Sequence, residues 1–203
     1  MSPSRPTRIA LFPLQTVLFP DGLLPLQIFE TRYVDLVRDC LRTESGFGVV
    51  PIRQGQEAGH AAIPFEIGTY GTIVDWSRGE NGLLNILVQG RDRFRITSQH
   101  AAPHQLITAE VEWLTPPASI VAPEKYKELK AFLQRIHEET TATGETLSTD
   151  TLMTVQIAYR IAALLPLPIA EKVALLGLND DAQLLSAIES ILGALLAVRA
   201  TRH

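Results

Sequence analysis

The sequence predicts an α+β fold in which a curved antiparallel sheet carrying one helix precedes a group of helices. From Thr7 to about Trp113, short apolar runs are cut by glycine, proline and turn residues, and only one stretch has a helical period. From Pro123 to Arg199 the apolar residues recur at helical spacing throughout. The strands also follow one another without the helical crossovers that parallel pairing requires. Thr115-Pro116-Pro117-Ala118-Ser119 disfavours both helix and sheet, so the division is placed there, with residues 1–118 β-rich and 119–203 helical.

The opening segment runs Leu11-Phe12-Pro13-Leu14, Val17-Leu18-Phe19-Pro20-Asp21-Gly22 and Leu24-Pro25-Leu26. Its prolines exclude a single helix and a central strand throughout, which leaves short extended pieces joined by turns. From Phe29 to Arg42, Tyr33, Leu36, Val37, Cys40 and Leu41 share one helical face, while Thr31, Arg32, Asp35, Arg38, Asp39 and Arg42 fall opposite. A strand over Gly46–Ile52 and a polar loop with His60 come next. Glu66–Trp76 reads as a strand in which Gly68 and Gly71 mark a bulge or a close backbone approach. Asn81-Gly82 predicts a tight hairpin between Thr72–Trp76 and Leu83–Val88. Gly90–Ile96 and Leu106–Trp113 complete the strands, with Arg91, Arg93 and Arg95 on one side of the first and Phe94 and Ile96 on the other.

In the second half, Pro123 opens a helix through Tyr126, Leu129, Leu133 and Ile136 that ends near Gly144. Ser148-Thr149-Asp150 is expected to cap the next helix, which is apolar nearly all round and so needs neighbours on every side. Pro166-Leu167-Pro168 stops it, a short helix covers Ile169–Leu176, and Asn179-Asp180-Asp181 caps the last one.

Composition narrows the function. The 203 residues carry a formal net charge of -4, against a broad nucleic-acid footprint. Cys40 is the sole cysteine and sits on an apolar helical face, so a core role and a reducing cytoplasm are expected. Arg5, Arg8 and the apolar run to Phe19 imitate a signal peptide, but Pro13, Gln15 and Pro20 interrupt it. Ile191–Val198 is too short for a membrane span.

Catalytic patterns are incomplete. No lysine follows a glycine, so no phosphate-cradling loop is present, and Gly46-Phe47-Gly48 runs into Pro51. His137-Glu138-Glu139-Thr140-Thr141 has threonine where a second zinc-binding histidine belongs, and Pro103 disfavours a helix bringing His100 and His104 together. There is no Gly-x-Ser-x-Gly turn. Glu138-Glu139 and Asp180-Asp181 read as solvent-facing charge and helix capping. No catalytic residue, metal or cofactor is expected. The Arg91, Arg93, Arg95 row has two readings, a grip on phosphates or an acidic partner, and the charged outer face of an edge strand. Trp76 and Trp113 likewise read as rim-of-core residues or as stacking platforms.

An ordered set of motifs adds a resemblance. Leu11–Leu14, Leu18-Phe19-Pro20, Leu24-Pro25-Leu26, Phe29-Glu30 with Arg32-Tyr33, Gly48-Val49-Val50, Ile67-Gly68-Thr69, Val88-Gln89-Gly90 with Arg93-Phe94 and Ile96, and Leu164-Leu165-Pro166-Leu167 resemble the N-terminal substrate-binding domain of Lon proteases. Lys172, Leu175-Leu176 and Asp181 with Leu184-Leu185 extend it. The resemblance implies a PUA-like β pseudo-barrel followed by a helical bundle, and recruitment of unfolded or tagged proteins. The ATPase and peptidase modules of full Lon have no counterpart before His203, so the chain reads as a stand-alone, non-catalytic member. The expected partners are unfolded or peptide segments of other proteins, with neither membrane nor nucleic acid. The expected contact residues are Phe29, Glu30, Arg32, Asp35, Arg38 and Trp76. The alternative implied by a PUA-like fold is RNA binding.

Overall fold

A computed structural model describes residues 5–80, 82–140 and 152–200. The chain divides into two compact units, Met1–Pro116 with Leu167–Gly177, and Pro117–Pro166 with Leu178–His203. The short helix at Ile169–Leu176, expected among the other helices, therefore counts with the first unit, where it packs against strands.

The first unit contains strands β1 (Arg8–Leu14), β2 (Leu23–Ile28), β3 (Gly46–Gln54), β4 (Ile63–Pro64), β5 (Ile67–Arg78), β6 (Leu84–Ala101) and β7 (Ile107–Trp113), and helix α1 (Thr31–Thr43). Their order is β1-β7-β6-β5-β3-β4, and β1 also pairs with β3, so five strands form a closed circuit of neighbours. The pairings are antiparallel except β1–β3, which is parallel and corrects the expectation of a purely antiparallel sheet. Strand β2 and helix α1, which lie between β1 and β3 in the chain, provide the long connection that such a pairing needs.

Among the described residues β2 pairs only with β6, and such an edge tolerates Pro25, which has no N–H to donate. Leu24, Leu26 and Ile28 turn toward the core while Leu23, Pro25 and Gln27 are exposed. Helix α1 buries Tyr33, Leu36, Val37 and Cys40 in the same core, with Phe12, Phe47, Ile86 and Val88. Burial pushes the Cys40 thiol pKa up, in keeping with a packing role.

Leu83–Val88 and Gly90–Ile96 are one strand rather than two. Gly90 continues the β6 ladder opposite Gly71, and its lack of a side chain serves another contact. A Cβ there would lie 2.3 Å from the Phe19 carbonyl oxygen. The turn Phe19-Pro20-Asp21-Gly22 docks on this point: Gly90 N–H donates to the Gly22 carbonyl at 2.9 Å and Asp21 N–H to the Gly90 carbonyl at 3.0 Å. The buried Thr69 hydroxyl adds a bond to the Leu18 carbonyl at 2.6 Å. The β5–β6 ladder shifts register between Thr69 and Gly71, as the glycine spacing suggested. Gly82 adopts φ 77°, suiting the β5–β6 turn, whereas Asn81 lies outside the described residues.

The second unit holds α2 (Lys127–Thr140), α3 (Thr154–Leu164) and α5 (Asp181–Ala200); α4 (Ile169–Leu176) is the helix of the first unit noted above. A short 3-10 turn over Glu124–Tyr126 follows Pro123 and precedes α2. Helix α3 packs against α2 and α5, burying Ile157, Ala158, Ile161 and Ala162. Its expected cap, Ser148-Thr149-Asp150, and the expected end near Gly144 lie outside the described residues. The start of α3 is instead held by the Gln156 side chain, which accepts from Met153 N–H at 3.1 Å, and by Ser119 Oγ, which accepts from Val155 N–H at 3.2 Å. Asp180 caps α5 as expected, accepting from the Ala182 and Gln183 N–H groups at 2.8 and 3.0 Å.

Candidate functional site

The chain leaves β2 and enters α1 through Phe29-Glu30. Phe29 is 64% exposed, unusual for a phenylalanine at the margin of a packed core. The Glu30 carbonyl accepts the first helical N–H bonds, from Tyr33 and Val34 at 3.0 Å each, while its carboxylate meets Arg32 at 2.9 Å.

Arg32, expected on the exposed polar face, is buried. Its Nη1 donates to the Gln105 carbonyl at 2.8 Å, in the turn between β6 and β7, and its guanidinium stands 4.6 Å from the Tyr33 ring centroid. The helical period misplaced Arg32 because a turn distant in sequence presents a carbonyl to it. Gln105 itself adopts φ 67°, a left-handed conformation, and its side-chain oxygen accepts from Ala61 N–H at 3.1 Å. Beneath lies an aromatic stack in which Phe12 and Tyr33 rings are 3.9 Å apart and inclined by 16°.

Two hollows flank Phe29-Glu30, and both residues line each of them. The first, about 170 Å³, has apolar walls from Phe12, Leu14, Leu26, Ile28 and Tyr33, with Glu57 at its margin. The second, about 380 Å³, is bordered by Arg32, Asp35, His104 and Gln105. Of the residues selected from sequence, Phe29, Glu30, Arg32 and Asp35 thus come together. Arg38 lies one turn further along α1, exposed and ion-paired with Asp35. Trp76, 58% exposed on β5, lines neither hollow.

The Tyr33 phenol pKa is pushed up to about 12, chiefly by burial; Arg32 pulls it down, and Glu30 and Glu57 push it up. Glu57 comes from the loop after β3, and its carboxylate accepts from Gln15 N–H. Nothing in the local sequence marked Glu57 or Gln105, since both depend on loops meeting across the fold.

The arginine row does not form a continuous charged surface. Arg91 donates to Thr72 at 3.0 Å, Arg95 lies 3.6 Å from Glu66, and Arg93 is buried with Nη1 and Nη2 on the Leu176 and Thr115 carbonyls at 2.7 and 2.8 Å. Their strand is paired on both sides, by β5 and β7, so it is not an edge here either. Trp113 meets Tyr70 and Phe94 edge-on, with ring centroids 5.5 and 6.1 Å away, consistent with a rim-of-core role.

The sequence model of the ATP-dependent protease La (LON) substrate-binding domain matches residues 8–193. The chain belongs to the Lon substrate-binding domain family. A crystal structure of a Lon N-terminal domain protein from Xanthomonas campestris has 32% sequence identity and a TM-score of 0.75, covering 91% of this chain and 98% of that one. The N-terminal domain of a Mycobacterium avium complex Lon protease shares the fold at 16% identity and a TM-score of 0.61, with 89% and 95% of the two chains covered. Among curated relatives, the Lon protease of Anaeromyxobacter dehalogenans is 30% identical over 93 residues, and that of Cytophaga hutchinsonii 27% identical over 139. These matches cover 45% and 67% of this chain but only 11% and 16% of those Lon proteases. No described helix is long and apolar enough to cross a membrane.

Proposed function

We propose that the face around Phe29 binds unfolded or extended segments of other proteins, and that the chain acts without catalysis as a recognition module in protein quality control in the cytoplasm. The observation that carries this reading is Phe29 itself, largely exposed between an apolar hollow and a polar one. An apolar side chain entering the first hollow would bury the Phe29 ring and displace water from both surfaces, while polar groups beside it set orientation. Asp35 and Arg38 fit the second task, being exposed and mutually paired. The closed strand circuit supports a PUA-like pseudo-barrel as the scaffold, and α2, α3 and α5 support a helical bundle. Trp76 belongs to the proposed surface only as an outlying contact.

Binding of a labelled, permanently unfolded model protein, followed by fluorescence anisotropy, tests the reading. Phe29→Ala is expected to weaken it roughly tenfold, the scale of losing a central aromatic contact. Arg38→Glu should weaken it less. Unchanged binding by Phe29→Ala, with the fold intact by circular dichroism, would remove this face from the site.

A further inference from the structure

The first hollow has a charge imbalance that specifies more than greasiness. Its walls are apolar, and the charged residues lining it are Glu30 and Glu57, with neither lysine nor arginine among them. Glu30 is matched by Arg32 at 2.9 Å. Glu57 is not: its carboxylate accepts from the uncharged N–H of Gln15, and among the described residues no cation forms an ion pair with it. An acidic group is therefore left uncompensated beside an apolar surface. The loop that carries it turns through Gly55 at φ 105° and Gly59 at φ 89°, and Gly59 N–H reaches the Glu30 carboxylate at 3.4 Å. The Gln15 side-chain amide donates to the Gly55 carbonyl at 3.5 Å, so Gln15 and Glu30 tie the loop on either side of Glu57. Both carboxylates also act on the Tyr33 phenol inside the hollow, against the opposite pull of Arg32.

Resting on the reading of this face as a protein-binding surface, we infer that the hollow selects segments in which a large apolar side chain is adjacent to a lysine or arginine. The apolar side chain fills the hollow against Phe12, Leu26 and Phe29. The neighbouring cation lies against Glu57 and completes its pairing, whereas an aspartate or glutamate in that place is repelled. Because Glu57 is exposed, the gain is modest, roughly threefold to fivefold in affinity at low salt. It fades as salt screens the pair.

Three short fluorescein-labelled peptides with one aromatic-aliphatic core, flanked by lysine, glutamine or glutamate, are titrated with the full chain and followed by anisotropy. The lysine peptide should bind threefold to fivefold tighter than the glutamine peptide, and the glutamate peptide weakest. Glu57→Gln keeps an oxygen for Gln15 N–H and removes only the charge. It should bring the lysine and glutamine peptides to equal affinity while leaving the glutamine peptide unchanged, and Glu57→Lys should reverse the order. Equal binding of all three peptides by the wild type, with Phe29→Ala weakening each, overturns the charge preference alone. A lysine preference that survives in Glu57→Gln overturns it too. Binding of no peptide overturns the protein-binding reading and this inference together.

Discussion

The Arg93 guanidinium donates to the Leu176 carbonyl at 2.7 Å, joining β6 to the last turn of α4 across 83 residues of sequence. A second bond, to the Thr115 carbonyl at 2.8 Å, holds the segment that follows β7. Both carbonyls are where regular structure ends, and such groups need a donor from elsewhere. An arginine meets two of them at once because its planar fork carries several N–H groups.

Arg93→Met should therefore cost about 3 kcal/mol, since it strips charge-assisted partners from two carbonyls while keeping most of the volume. Arg93→Lys keeps the charge but not the fork, and should fall between that variant and the wild type. Urea denaturation would measure both. A loss below about 0.5 kcal/mol for Arg93→Met would mean that water replaces the guanidinium without penalty.

Gly90→Ala should destabilise by at least about 2 kcal/mol, because the new Cβ would lie 2.3 Å from the Phe19 carbonyl oxygen and neither partner is a flexible side-chain end. The backbone bonds between Gly90 and Asp21-Gly22 should weaken with it, which amide hydrogen exchange at Asp21 and Gly90 would detect. Gly82→Ala is a contrasting control. Nothing lies within 4 Å of a Cβ there, so only the φ of 77° opposes it.

Arg32 and Arg38 are six residues apart on one helix and should behave oppositely. Arg32→Met leaves the Gln105 carbonyl and the Glu30 carboxylate without their shared donor, at a cost of about 2 kcal/mol. Arg38→Ala breaks an exposed pair with Asp35 and should change stability by less than about 0.5 kcal/mol. Thermal melts of the two variants would show a large and a negligible shift in Tm.

Tyr33 makes stability depend on alkaline pH. Its folded pKa, about 12, lies above the ordinary value of 10, so between those values the unfolded chain releases a proton that the folded chain retains. The stabilisation is complete below pH 10 and declines as pH rises through 12. Tyr33→Phe removes this contribution, so its stability should fall less steeply than the wild type's over that window. Phenolate absorbance against pH would report the folded pKa directly.

How far the sequence reaches is clearest along α1. Its period located the helix within two residues and put Tyr33, Leu36, Val37, Cys40 and Leu41 on one face, of which the first four are buried and Leu41, near the helix end, is exposed. The same period put Arg32 in water, because periodicity describes a helix alone and takes no account of a turn folding over its end. The arginine row failed in the same way: alternation is local, whereas the carbonyls that draw Arg93 inward come from the ends of two other segments. The hollows depend still more on assembly. Phe12, Leu26, Phe29 and Glu57 lie on separate strands and loops, and only Phe29 stood out beforehand as a candidate contact.

The family, the division into a strand-rich and a helical stretch, most of the buried face of α1 and the capping of α5 were determined by the sequence alone, because each depends on neighbouring residues or on motifs in fixed order. Tertiary structure decided the parallel β1–β3 pairing, the membership of α4 in the first unit, the burial of Arg32 and Arg93, and the placing of Glu57 at the apolar hollow with no cation paired to it among the described residues. Each of these is settled by which distant backbone groups and charges meet once water is excluded, and that meeting is a property of the assembled chain.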